Sequence, residues 1–204
     1  SNVRTSPLIL VRTHPMYHPG RWDVIRQQYP EVTFSSTNLS RGQRTTLGYD
    51  DHVDWEERDL ALLINTLHHS DVHWNVSSTM TLDAAYFDRP VVCVAYDPRP
   101  GQPFGKICRR LYDRDHYSDI TESGGAVIAE TPEEAWHATQ IYLDNPALYR
   151  NERQKVLGLY DPFMDGQATQ RVAQVILKAL DVVGRASHPT QRKGLLRRAN
   201  LLSL

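Results

Sequence analysis

The chain has 204 residues, is 40% hydrophobic and carries a formal net charge of −1. That length can bury a real core, that composition argues against wholesale disorder, and that charge argues against a general nucleic-acid binder. No apolar stretch approaches the roughly 20 residues needed to span a bilayer, and no signal-peptide pattern opens the chain.

Leu8 to Arg12 (LILVR) is a short apolar run that Thr13-His14-Pro15 ends. Trp22 to Tyr29 can form a helix, with Pro30 as its stop, and Glu31 to Ser35 alternates like a strand. Asn38 to Asp54 is polar and poorly patterned, which predicts a loop. Trp55 to His68 places Leu60, Leu63, Ile64 and Leu67 at helical spacing, with Glu56 and Glu57 in the first turn. An apolar strand, Asp71 to Val76, then stops at Ser77-Ser78-Thr79; a helix opens there, and a second apolar strand runs from Pro90 to Tyr96. Gly124 to Glu130 is a further strand. Thr131-Pro132-Glu133-Glu134 is a helix start, with a capping hydroxyl, proline at the first position and carboxylates in the first turn. That helix reaches about Asp144, more helix follows Pro146, and Ala168 to Val183 forms an amphipathic helix whose Val172, Val175, Ile176, Ala179 and Leu180 stripe reads as core packing. Cys93 lies in an apolar strand and Cys108 in a polar segment, and both read as reduced cytosolic thiols.

Five short, nearly uniformly apolar strands alternating with helices predict an α/β fold: a Rossmann-like parallel sheet covered by helices on both faces. Ligands of such sheets bind beyond the carboxyl ends of the strands, where strand order reverses. His14, the Ser77-Ser78-Thr79 turn and Asp97 each directly follow a strand, so all are expected on one sheet edge. Hydroxyls and unpaired amides at a helix start favour an anion, and a phosphate or diphosphate is the natural ligand. Asp83, a few residues into the helix, could accept hydrogen bonds from ribose or sugar hydroxyls. Capping alone would also explain the serines, and an exposed helix carboxylate is commonly only solvated.

The long segment from Pro98 to Ser123 starts at the same edge and carries Lys106, Arg109, Arg110, Arg114 and His116. It is either functional or partly helical, and its guanidinium groups suit phosphate oxygens. A solvated charged face is the competing reading. His14 is the candidate acid–base group or hydrogen-bond donor to a phosphate, and Arg171 could reach a donor phosphate or form a plain salt bridge. The histidines of His68-His69-Ser70-Asp71-Val72-His73 match no tight zinc spacing, so no metal is expected.

With these residues in place, the chain resembles the donor-binding, C-terminal half of GT-B transferases, most nearly the CDP-glycerol glycerophosphotransferase and capsule-polysaccharide transferase group. Four pieces carry the resemblance: LILVRTHP, SDVHWNVSSTMTLDAAYFDRPVVCVAYD, RDHYSDITESGG and DGQATQR. It implies a nucleotide-diphosphate-activated donor as substrate, with no separate cofactor. The diphosphate would sit on the serine turn, with His14 and the Asp165 to Arg171 loop nearby. It further implies transfer of a sugar or polyol-phosphate to a cell-surface glycan or polymer. Where the glycerophosphotransferases usually show an Asp-Tyr pair before the serines, this chain has Trp74-Asn75-Val76. Asp83 with Ala84-Ala85 is closer to the pattern of sugar-nucleotide enzymes, which tilts the reading towards a glycosyl donor. A sugar-nucleotide 2-epimerase-like enzyme and a non-catalytic nucleotide-sugar-binding module are the alternatives.

Residues 1–184 are therefore expected to form the donor-binding domain, and 185–204 a basic amphipathic tail. A GT-B enzyme has two Rossmann-like halves, so an N-terminal partner half is expected to be missing here, with slow turnover or none by the chain alone. The tail is expected to dock on that half, or to make peripheral contact with the inner face of the plasma membrane from a cytoplasmic location.

Overall fold

The computed structural model describes residues 7–13, 19–35, 57–97, 101 and 108–186. His14, the 38–54 loop, Lys106 and the tail from 187 onward lie outside the described residues. The chain divides into two compact units, Ser1–Ser70 and Asp71–Leu204.

The first unit holds β1 (Leu10–Arg12), a 3-10 helix (Pro19–Trp22), α1 (Asp23–Gln28), β2 (Thr33–Ser35) and α2 (Glu57–His69). Strands β1 and β2 are parallel, with Leu10 opposite Thr33 and Arg12 opposite Ser35. Trp22 packs against Phe34 with ring centroids 6.3 Å apart, and the Arg26 guanidinium lies 5.0 Å from the same ring. Burial lowers the Arg12 pKa, partly offset by the charge of Asp59, itself buried on α2.

The second unit holds β3 (His73–Asn75), α3 (Met80–Tyr86), β4 (Val91–Val94), a second 3-10 helix (Cys108–Asp113), α4 (Asp115–Ser123), β5 (Val127–Ala129), α5 (Pro132–Asp144), α6 (Arg150–Tyr160) and α7 (Ala168–Ala186). Its sheet is parallel throughout, in the order β3-β4-β5, with Asn75 opposite Cys93 and Val94 opposite Ala129. Side-chain alternation explains why the middle strand is apolar at every position. Val92 joins Ala129 and, from α5, Ala135, Ala138 and Tyr142 on one face. Cys93 points the other way, to Thr81 of α3 and Tyr117 of α4. With both faces covered, a polar residue on β4 would meet helix on either side.

Local chemistry explains the helix ends. The Thr131 hydroxyl accepts the Glu134 N–H at 3.1 Å, and the Glu134 carboxylate accepts the Glu130 N–H at 2.7 Å. The first bond satisfies an orphan amide of α5, and the second ties the chain just before the cap to the helix's first turn. Helix α4 ends at Gly124, whose φ of +71° is a left-handed conformation that glycine adopts without penalty. Gly125 is buried for a different reason: a Cβ there would lie 3.1 Å from the Arg153 and Glu152 backbone at the start of α6. That helix turns Arg153, Val156 and Leu157 inward. Arg153 is neutralised by Asp88 just after α3, with Nη2 to Oδ1 at 2.7 Å, and also donates to the carbonyls of Leu148 and Pro146.

The fold is thus α/β and Rossmann-like, with parallel strands and helices on both faces of β4. Two expectations need correction. The five strands form two small sheets, β1-β2 and β3-β4-β5, and not one. Apolar strand patterns show that a strand pairs but not with which neighbour. Within the three-stranded sheet the order runs without reversal, so that sheet contains no switch point. No helix among the described residues is long and apolar enough to cross a membrane.

Candidate functional site

Because β3, β4 and β5 are parallel, their carboxyl ends share one edge. Three connections leave it: Val76 to Thr79 after β3, Ala95 to Asp97 after β4, and Glu130-Thr131 after β5. The 3-10 helix Cys108–Asp113 binds to all three strand ends. The Cys108 N–H donates to Asp97 Oδ2 at 2.8 Å, and its thiol donates to Oδ1 at 3.3 Å. The Arg109 guanidinium pairs with Glu130 at 2.9 Å and with Asp113 at 2.7 Å. Tyr112 accepts the Ser77 N–H at 2.9 Å and donates to the Val94 carbonyl at 2.8 Å, while the Ser77 hydroxyl donates to the Leu111 carbonyl at 3.1 Å.

The turn is also tied from below. Asn75 Oδ1 accepts the Ser78 N–H at 3.3 Å, and Asn75 Nδ2 donates to Thr81 Oγ1 at 3.0 Å. The Thr81 hydroxyl lies 2.8 Å from that of Tyr117, and the Ser78 hydroxyl accepts the Met80 N–H at 3.2 Å. Ser77 itself has φ +43°, a left-handed conformation uncommon outside glycine. Buried polar groups must be paired, and here the pairing fixes one particular turn. Burial raises the Tyr112 and Tyr117 pKa values, helped by the nearby Cys93 thiol. Burial also raises Cys93, against the hydrogen bonds that lower it. At neutral pH this cluster is uncharged and holds geometry; it supplies no strong base.

The predicted residues divide accordingly. Ser77 and Ser78 are partly buried and spend their amides inside the protein, so the expectation that both stand free for an anion is corrected. Thr79 is exposed, and among the described residues nothing bonds its hydroxyl or its N–H. Asp83 is an exposed residue of α3, and partial desolvation of its carboxyl raises the pKa. Asp97 does reach the edge, but as the acceptor that anchors the 3-10 helix. His116 is exposed on the first turn of α4, next to Tyr117, which touches the turn. Arg171 is engaged elsewhere, paired with Asp165 and with its guanidinium 4.0 Å from the Phe163 ring centroid. The β1 strand that precedes His14 belongs to the other sheet.

Sequence reasoning missed Asn75, Thr81, Tyr112, Tyr117 and Glu130. Asn75 was findable: an Asn before a turn commonly bonds the backbone a few residues on. The tyrosines carry no comparable signal. Among the described residues no cluster of three or more His, Cys, Asp or Glu side chains is placed to hold a metal ion. Comparison with protein-family models, with curated proteins and with solved structures found no match to this chain.

Proposed function

We propose that this chain is the donor-binding domain of a GT-B-type transferase, which moves a sugar or polyol-phosphate from a nucleotide-diphosphate donor to a cell-surface glycan or polymer. The observation that supports the reading is the meeting, at one carboxyl edge of a parallel sheet, of the Ser77-Ser78-Thr79 turn, the start of α3 and the 3-10 helix Cys108–Asp113, whose Arg109 is paired with Glu130 and Asp113. Ligands of parallel α/β sheets bind at that edge. Thr79, whose hydroxyl and amide are unbonded among the described residues, is the first contact for a donor phosphate, and Asp83 one turn on is the acceptor for a sugar or ribose hydroxyl. Ser77 and Ser78 shape the turn that presents Thr79. A GT-B enzyme carries its second half on an N-terminal domain, so transfer belongs to the two halves together.

A thermal-shift panel of CDP-, UDP-, GDP- and CMP-linked compounds tests this reading. Ligand at about 100 times its Kd adds about 2.7 kcal/mol of stability, a readily measured rise in Tm. One donor class should raise Tm in the parent chain and not in Thr79→Val. A panel that leaves Tm unmoved, or a shift that survives both Thr79→Val and Asp83→Asn, would overturn the assignment.

A further inference from the structure

Arg12 closes β1 and stands opposite Ser35, the last residue of β2, so both lie at the carboxyl edge of the first unit's parallel pair. Side chains alternate along a strand, and the register puts Arg12 on the face away from Phe34, against which Trp22 and Arg26 pack. Asp59, in the first turn of α2, is 6% exposed. The Arg12 nitrogens Nη1 and Nη2 and the Asp59 oxygen Oδ2 are buried, and among the described residues none of the three has a hydrogen-bond partner. The two groups sense each other, since the Asp59 charge raises the Arg12 pKa against burial, yet no hydrogen bond or ion pair joins them.

This arrangement is costly as it stands. A guanidinium stays protonated at any physiological pH, and a buried charge without hydrogen bonds is strongly destabilising. A direct ion pair would be the simplest compensation, and the fold holds the two groups apart instead. Natural folds break such local rules chiefly at functional sites.

The open groups define what fits between them. The two terminal nitrogens of one planar guanidinium make a fork for the paired oxygens of an oxyanion. A carboxylate oxygen beside that fork accepts from a hydroxyl or an ammonium. Carboxylate suits the place better than phosphate, which would bring a second negative charge next to Asp59. The edge itself is where ligands of parallel α/β sheets bind.

We propose that Arg12 and Asp59 form a binding site for a small carboxylate bearing a hydroxyl or ammonium on the adjacent carbon, an α-hydroxy or α-amino acid. Arg12 holds the carboxylate with both Nη groups, and Asp59 Oδ2 accepts from the neighbouring donor. The site lies within the first unit and does not depend on the donor-binding reading of the second.

The test is an NMR titration of the full 204-residue chain with acetate, glycolate and glycine, which carry no donor, a hydroxyl or an ammonium beside one carboxylate. Ionic strength is matched throughout. Saturable shifts of the Thr13, Ser35 and Asp59 amides report binding. Glycolate, glycine or both should bind about tenfold or more tighter than acetate, the worth of one charge-assisted hydrogen bond. Arg12→Lys, which keeps the charge and loses the fork, should weaken every probe about tenfold. Asp59→Asn should erase most of the advantage over acetate. An undisturbed spectrum elsewhere shows that each variant is folded, and the series on the parent chain decides the matter should one fail to fold. Absent saturable binding, acetate or inorganic phosphate bound as tightly as both donor-bearing probes, or an advantage that survives Asp59→Asn would overturn the proposal. So would binding that Thr79→Val abolishes, since the ligand would then sit on the second unit.

Discussion

The phenol of Tyr112 and the backbone of Ser77 lock the carboxyl edge of the second unit's sheet: the hydroxyl accepts the Ser77 N–H at 2.9 Å while donating to the Val94 carbonyl at 2.8 Å. One side-chain oxygen thus joins the turn after β3 to the end of β4. Tyr112→Phe keeps the ring and strands both backbone groups. An unsatisfied buried polar group costs about 1–3 kcal/mol, so a loss of that order is expected in urea-denaturation midpoints. A variant as stable as the parent would mean that the lock is dispensable.

Much of this architecture is legible in the sequence, because its determinants are local. The apolar runs at Leu8 to Arg12, Asp71 to Val76 and Pro90 to Tyr96 each contain an observed strand, and the Thr131-Pro132-Glu133-Glu134 start is the observed cap of α5. What escapes is non-local. Strand composition does not encode partner choice, so one expected sheet is two. The site is less legible for the same reason. Asp97 and the serines follow strands as expected, but their partners Cys108, Leu111 and Tyr112 arrive from a 3-10 helix some 10 to 35 residues on. The α7 stripe has the periodicity of a core helix, yet Val172, Val175, Ile176 and Leu180 are exposed: periodicity says which residues share a face without saying what that face meets.

Asp88 carries the charge that offsets the buried Arg153. Burial pushes its pKa up, but the hydrogen bonds and charges of Arg153 and Arg150 outweigh that and hold it below the usual carboxylate range. A depressed folded-state pKa adds stability that is present above the ordinary value near 4 and lost as pH falls through the folded value. Asp88→Asn suits the left-handed backbone there, φ +53°, and removes the charge and one of the two acceptor oxygens at nearly constant shape. Since it leaves the buried Arg153 without a counter-charge, with only the Leu148 and Pro146 carbonyls to accept from it, a loss of about 3–5 kcal/mol at pH 7 is expected. The loss should shrink as the pH is lowered towards 3. Parallel pH–stability curves for parent and variant would contradict this account.

The adjacent glycines Gly124 and Gly125 should tolerate substitution to different degrees. A Cβ on Gly125 meets α6 backbone at 3.1 Å and cannot be accommodated by a side-chain rotation. Gly125→Ala is therefore expected to cost about 1–3 kcal/mol, as overpacking does. At Gly124 the nearest atom is the Glu152 Cγ at 3.8 Å, so space is available and only the φ of +71° matters. Gly124→Asn, with a side chain that tolerates this conformation, should cost well under 1 kcal/mol. Thermal melts of the two variants decide it, and equal losses would refute the distinction.

The Cys108 thiol reports on the 3-10 helix that covers the candidate site. Burial raises its pKa, and the hydrogen bond and charge of Asp97 raise it further. Since the thiolate is the reactive species, alkylation by iodoacetamide at pH 8 should be slower than for an unhindered thiol. Asp97→Asn removes the carboxylate contribution and weakens the anchor, so Cys108 should react several-fold faster, roughly in proportion to its thiolate fraction. Cys93 is an internal control: fully buried, it should stay unmodified until the chain unfolds. If Asp97→Asn left the Cys108 rate unchanged, the carboxylate would not govern this thiol, and the anchoring role assigned to Asp97 would fail with it. If instead both cysteines reacted together, the variant would have loosened the whole β4 core and not the edge alone.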